Sequence, residues 1–148
     1  MSEDPICAQD MPRRFEMSMP DIDMQHAVLY SMLSCIKYRL ETEADIEITL
    51  LIRSLRDFAM LHFEHEESGM VKECYPHWQR HMQEHRQFEA QIDIFESRFA
   101  AMARNHQSWR EELIKVQDYL TSWFDNHIDQ VDRALFRSPE YHRHQAPP

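Results

Sequence analysis

The chain has 148 residues with one glycine, seven prolines and a formal charge of −10 at neutral pH. That length suits one domain with a real core, the acidity argues against nucleic acid and anionic membrane surfaces as partners, and a single glycine excludes phosphate-cradling loops and the GxSxG elbow. No apolar run is long enough to span a membrane, "MSEDPICAQDMPRR" lacks a signal-peptide core, and Cys7, Cys35 and Cys74 have no CxxC spacing, so a cytoplasmic location with reduced thiols is expected.

The prolines are confined to the first twenty residues, Pro76 and the tail, so long stretches carry no helix breaker and an all-α fold is expected. Behind an N-terminal arm over residues 1–20, four series of apolar residues recur at alternating steps of four and three, the mark of a buried helix face. The first runs Ile22, His26, Leu29, Leu33, Ile36, Leu40, and the second Ile48, Ile52, Leu55, Ala59, His62, Glu66. The third runs Trp78, His81, His85, Phe88, Ile92, Phe95, Phe99, Met102, and the fourth Trp109, Leu113, Val116, Leu120, Trp123, His127, Val131, Ala134. Thr42 with Asp45 and Ser108 with Glu111 have the spacing of helix N-caps, and "YP" at 75 and 76 separates the second stripe from the third. Short connections make neighbours antiparallel. The prediction is an up-down-up-down four-helix bundle over 21–137, with a flexible tail over 138–148 in which His142 and His144 are solvated.

Every stripe contains histidine. His26 lies near the start of the first helix, His62 toward the end of the second, His81 and His85 near the start of the third, and His127 toward the end of the fourth. In an antiparallel bundle those regions are one end of the molecule, so five imidazoles converge in one core layer. Each ring left unsatisfied there would cost on the order of 1 to 3 kcal/mol. A metal removes that cost, because neutral imidazole is the commonest metal ligand. The run "HWQRHMQEH" offers a third histidine, His77, but the phase of the stripe puts it on the edge beside Pro76, where a solvated role is expected.

Glu66 is four residues after His62 and shares its face, whereas His65 falls on the other flank and Glu67 reads as part of a solvated acidic patch. Asp132 is five residues past His127, about 140° round a regular helix. Only a local π-type turn, a feature frequent at functional sites, would bring the two into line. Nitrogen and oxygen donors without thiolate favour iron, with zinc or manganese as alternatives, and their number suits two ions bridged by carboxylates. No Glu stands three residues before any histidine, which disfavours the Glu-x-x-His arrangement of ferritin-like bundles.

"IDMQH" at 22–26, "HFEHEE" at 62–67, "YPHWQRHMQEH" at 75–85 and "WFDNHIDQVD" at 123–132 fall on all four helices in order. Together they resemble the hemerythrins, specifically the single-domain bacterial members. The resemblance implies that His81, His85 and His127 are terminal ligands of one iron, that His26 and His62 hold a second, and that Glu66 and Asp132 bridge the pair together with an oxo or hydroxo group. It also implies reversible dioxygen binding at an open position of the second iron, lined by Leu29, Phe63, Trp123, Phe124 and Ile128. The chain departs from the family at Phe15 and "SMPDID", where altered packing of the arm is expected with the metal set retained.

The function expected is therefore oxygen binding for storage, delivery or buffering, by a binding protein and not an enzyme. An oxygen or redox sensor or adaptor comes second, lowered because no second domain is expected. A diiron oxidase or peroxidase, with Tyr30 or His65 as the nearest candidate acid or base, comes third.

Overall fold

The structure, a computed structural model, describes residues 11–42, 47–105 and 108–142, without the side chains of 103–105 and 142. A 3-10 turn at Arg13–Phe15 leads into α1 (Pro20–Thr42), α2 (Ile48–Lys72) and α3 (Trp78–Asn105). The fourth long helix is composite. It starts as α4 (Arg110–Trp123), continues through a π-helical segment (Phe124–Asp132) and ends as α5 (Arg133–Phe136), with a short α6 (Pro139–His142) after it. Among the described residues there is no strand. Helix α2 packs on α1 and α3, and α1 packs on α4, which is the four-helix bundle expected from the stripes.

The half of the bundle away from the histidines is mainly apolar, with buried Glu112 of α4 paired to Arg98 at its margin. Leu33, Ile36 and Leu40 of α1 meet Ile48, Ile52 and Leu55 of α2, Ile92, Phe95 and Phe99 of α3, and Leu113, Val116 and Leu120 of α4, all buried. Each such side chain contributes about 1.5–3 kcal/mol on burial, so this half supplies most of the drive to fold.

Three local expectations are corrected. Thr42 caps no helix; it ends α1 and its hydroxyl donates to the Tyr38 carbonyl, while Glu47 caps α2 by accepting from Thr49 N–H. Asp45 lies outside the described residues. Helix α4 begins after Trp109 and not Ser108, and Trp109 caps it with no side-chain hydrogen bond. Tertiary contacts decide that boundary, since the Arg39 guanidinium lies 4.0 Å from the Trp109 ring centroid and Arg110 donates to the Leu40 carbonyl. Trp78 and Ala134 leave the buried stripes. Trp78 is the first residue of α3 and is 39% exposed. Beyond His127 the π winding advances the buried face by one residue, so Ile128, Asp132, Leu135 and Phe136 turn inward where Val131 and Ala134 were expected.

The tail from 138 starts with a docked turn. Ser138 Oγ donates to the Leu135 carbonyl, and the Tyr141 hydroxyl stands against Gly69, where a Cβ would lie 2.6 Å from it. His144 lies outside the described residues, as does Cys7, while Cys35 is partly buried and Cys74 exposed.

Helix α2 stops by a Schellman turn: Tyr75 N–H reaches the Met70 carbonyl, Cys74 N–H reaches that of Val71, and buried Tyr75 and Met70 supply the accompanying apolar contact. The position that usually holds glycine holds Cys74, at φ 54°. A left-handed residue with a Cβ costs roughly 1–2 kcal/mol. Because Cys74 is exposed and loses little packing, Cys74→Gly is expected to stabilise the metal-free protein by about 1 kcal/mol after the entropy glycine adds to the unfolded chain. Urea unfolding midpoints of the two proteins check this.

Candidate metal centre

The five stripe histidines and both carboxylates meet in one buried layer. His26 comes from the first turns of α1, His62 and Glu66 from adjacent turns of α2, and His81 and His85 from adjacent turns of α3. His127 and Asp132 both come from the π-helical segment, whose i→i+5 winding returns the fifth residue to nearly the same side of the helix. That winding is why Asp132 arrives where regular α geometry would not put it.

Each carboxylate divides its two oxygens between two sets of rings. Glu66 Oε1 lies 3.0 Å from His62 Nε2 and 3.9 Å from His26 Nε2, while Oε2 lies 3.2 Å from His85 Nε2 and 3.4 Å from His81 Nε2. Asp132 Oδ2 lies 3.2 Å from His26 Nε2, and Oδ1 lies 2.9 Å from His81 Nε2 and 3.0 Å from His127 Nε2. Two overlapping groups result, one of His81, His85 and His127, the other of His26 and His62, both containing Glu66 and Asp132.

The donors fit a metal better than they fit one another. Although these atoms are close, both oxygens of Glu66 and of Asp132, and Nε2 of His26, His62 and His81, are buried without hydrogen-bond geometry to any partner. Orphaned buried polar atoms that converge on common points are what cation ligands look like before the cation is counted.

The outward nitrogens are held separately. His26 Nδ1 donates to the Phe15 carbonyl (3.0 Å), His62 Nδ1 to Gln25 Oε1 (2.6 Å) and His127 Nδ1 to Glu84 Oε2 (2.7 Å), a pattern that fixes each ring with Nε2 inward. Glu67 Oε2 stands 3.5 Å from His85 Nδ1, an ion-pair contact longer than a hydrogen bond. His81 Nδ1 has no hydrogen-bond partner among the described residues.

None of these outer partners was legible as such. Glu67, expected in a solvated patch, is 8% exposed and lies between His85 and Arg86. Gln25 and Glu84 sit beside ligand-bearing positions but off the stripes, and their contacts cross to another helix. Phe15 acts through its backbone carbonyl, which no residue type signals. The arm that presents it is anchored to the π-helical segment, because Arg133 donates to the carbonyls of Arg14 and Glu16 while bound to Asp129. The arm therefore belongs to the site's support, contrary to its expected separateness.

The flanking residues also fall into place. His77 is exposed, and so is His65, whose Nδ1 meets Gln25 Nε2. Leu29, Phe63, Phe124 and Ile128 are buried and Trp123 is partly so. Phe63 stacks on His85 at 3.9 Å and Trp123 on His127 at 4.3 Å, so these two rings make their closest contacts with the three-histidine group.

The family model for the hemerythrin HHE cation binding domain matches residues 19–138. The chain belongs to the hemerythrin family. It is 25% identical over 111 residues to the bacteriohemerythrin of Methylococcus capsulatus (strain ATCC 33009 / NCIMB 11132 / Bath), an overlap covering 75% of this chain and 80% of that protein. No solved structure matches it. For a hemerythrin, the buried nitrogen and oxygen donor set points to non-haem iron as the metal. No helix among the described residues is long and apolar enough to cross a membrane.

Without metal, protons occupy this hemerythrin's site. Burial alone pushes the His26 and His81 rings down, yet Asp132 and Glu66 beside them raise both to about 10. His127 is likewise lowered by burial but raised to about 8 by Asp132 and Glu84. Burial pushes Glu66 and Asp132 up, and the imidazoles overcome it and hold both well below the usual carboxylate range.

Rings with pKa above 7 carry protons at neutral pH, and metal ligation needs them neutral, so loading the metal-free protein at pH 7 is expected to release protons. Titration calorimetry in two buffers of different ionisation enthalpy reads this directly; identical heats would mean the rings were already neutral. Replacing His81 with Ala is expected to lower metal affinity by more than the roughly 10–100-fold typical of an outer-sphere change, while His77→Ala leaves metal content unchanged. Metal analysis after dialysis distinguishes the two, and equal loss in both would show the wrong face of α3 at the site.

Proposed function

We propose that the chain binds dioxygen reversibly at a pair of iron ions, for storage, delivery or buffering. One iron is held by His81, His85 and His127, the other by His26 and His62, with Glu66 and Asp132 spanning both. The observation that carries this reading is the division of each carboxylate, one oxygen toward each set of rings. A single ion would draw both carboxylates to one side. Unequal numbers of histidines leave the two-histidine ion with fewer protein ligands, and that is where a small ligand has room to enter.

When bound, a ferrous pair supplies the electrons that hold dioxygen. The chain's own residues do the rest. Phe15 and Gln25 fix the rings of His26 and His62, so the side that receives the gas does not reorganise when it arrives. Buried Leu29, Phe124 and Ile128 keep the layer of donors apolar, with Phe63 and Trp123 covering its three-histidine side, and dry apolar surroundings favour a neutral diatomic over water. The functional unit is the bundle over 21–137, with Phe15 ahead of it supporting His26.

A binding role is supported over turnover by the placement of the two candidate acid–base residues. His65 is at the surface against Gln25, and Tyr30 packs with its ring 6.2 Å from that of Phe15. Neither is among the converging donor atoms.

The iron-loaded, reduced protein is expected to develop an absorption band in air that fades under vacuum and returns through repeated cycles, with about two irons per chain by metal analysis. Immediate irreversible oxidation with peroxide release would replace carriage by oxidase chemistry, and one zinc with no colour would make the site structural.

A further inference from the structure

The outer partners of the ligands are not alike on the two sides of the centre. On the two-histidine side they are neutral: a backbone carbonyl for His26 and the Gln25 amide for His62. On the three-histidine side His127 donates to a carboxylate, Glu84 at 2.7 Å, while Glu67 stands 3.5 Å from His85 without a hydrogen bond and His81 Nδ1 has no hydrogen-bond partner among the described residues. An imidazole N–H directed at an anion gains imidazolate character and becomes a more basic ligand than one directed at a neutral oxygen. A more basic ligand set favours the higher metal charge.

We propose that Glu84 is a positioning residue that makes the three-histidine position the first of the two to be oxidised. The inference rests on the two-iron reading of the site. A one-electron outer-sphere oxidant such as ferricyanide takes one electron from the ferrous pair, leaving a ferric ion held by His81, His85 and His127 and a ferrous ion held by His26 and His62. A second such oxidant takes the remaining electron from the two-histidine position. Ferricyanide is reduced to ferrocyanide in each step, and no proton or bond changes hands.

Glu84 and not Glu67 has this role. Glu67 shares its charge with the Arg86 guanidinium, bound to its other oxygen. Glu84 makes its closest ion pair with His127, with the exposed Arg80 near it in the same pocket. Its side chain is 34% exposed, in a surface pocket lined also by Trp123 and His127, so its charge can be removed without opening the core.

The test is a potentiometric titration of the iron-loaded protein with small mediators, reading the two one-electron steps separately. In Glu84→Gln the first step is expected to move to more positive potential, by about a tenfold change in the oxidised-to-reduced ratio, or about 59 mV for one electron. In Gln25→Glu, which places a charge behind His62, the second step is expected to move to more negative potential. Glu64→Gln removes an exposed carboxylate of α2 that touches no ligand, and both steps are expected to stay put. Glu84 and Glu64 variants shifting alike, or the Glu84 variant moving only the second step or neither, would overturn the proposal. If Glu84→Gln does not fold or load iron, Gln25→Glu decides alone, and a first step that moves in it while the second does not reverses the assignment. Wild-type protein holding no iron pair would sink the two-iron reading itself, whereas a wild type that cycles with oxygen beside an unresponsive Glu84→Gln would sink only this inference.

Discussion

Glu66 and Asp132 lie with no exposed side-chain surface inside a helical bundle, and the surrounding structure answers that constraint. A buried carboxylate without a partner costs several kcal/mol even after relaxation and water penetration. Five imidazoles surround the pair, and an imidazole offers a carboxylate positive charge only by holding a proton or by sharing a cation. Protons are the weaker solution, because the nitrogens and oxygens stand close without hydrogen-bond geometry. A metal cation ligated by both kinds of donor satisfies orphaned oxygens and nitrogens together, which protons placed between them do not. The raised imidazole pKa values and the orphaned oxygens are thus two views of the same electrostatic deficit.

The π-helical segment is the local device that makes this possible. On a regular helix His127 and Asp132 diverge, and only Glu66 would face the rings. Winding Phe124–Asp132 with i→i+5 periodicity aligns them, and in doing so shifts the buried face of everything downstream. The exposure of Ala134 and the burial of Leu135 and Phe136 follow from the same extra residue in the turn. The sequence pattern held this as an unresolved alternative, since a stripe with period 3.6 assigns each residue to a face only while the helix stays regular.

What was legible in the sequence shared one property, that it repeated. The stripes, the bundle and the five inward histidines all rest on periodicity along single helices. What escaped depended on contacts between elements: the Glu84 carboxylate crossing from α3 to His127, the Gln25 amide crossing from α1 to His62, and the Phe15 carbonyl reaching His26 from the arm. Glu67 was misplaced for a related reason. Adjacent to Glu66, it falls outside the stripe by helical phase, and only the approach of α3, carrying His85 and Arg86, buries it.

The apolar half of the bundle also sets the accuracy of the polar half. Along α2 the series Ile52, Leu55, Ala59, His62, Glu66 is one continuous face, so the packing that fixes Leu55 against its neighbours fixes the rotation at which Glu66 enters the site. A slip of one residue would turn that carboxylate by about 100° and remove it. The same holds for His26 on α1 and for His81 and His85 on α3, each in phase with apolar residues that follow it. The fourth helix cannot rely on one continuous face, because the π winding breaks the phase between Leu120 and Leu135. It is pinned on both sides instead, by Leu120 and Phe124 before His127 and by Leu135 and Phe136 after Asp132, all buried. Asp132, the member of the buried cluster least favoured by regular geometry, is thereby held between two anchors.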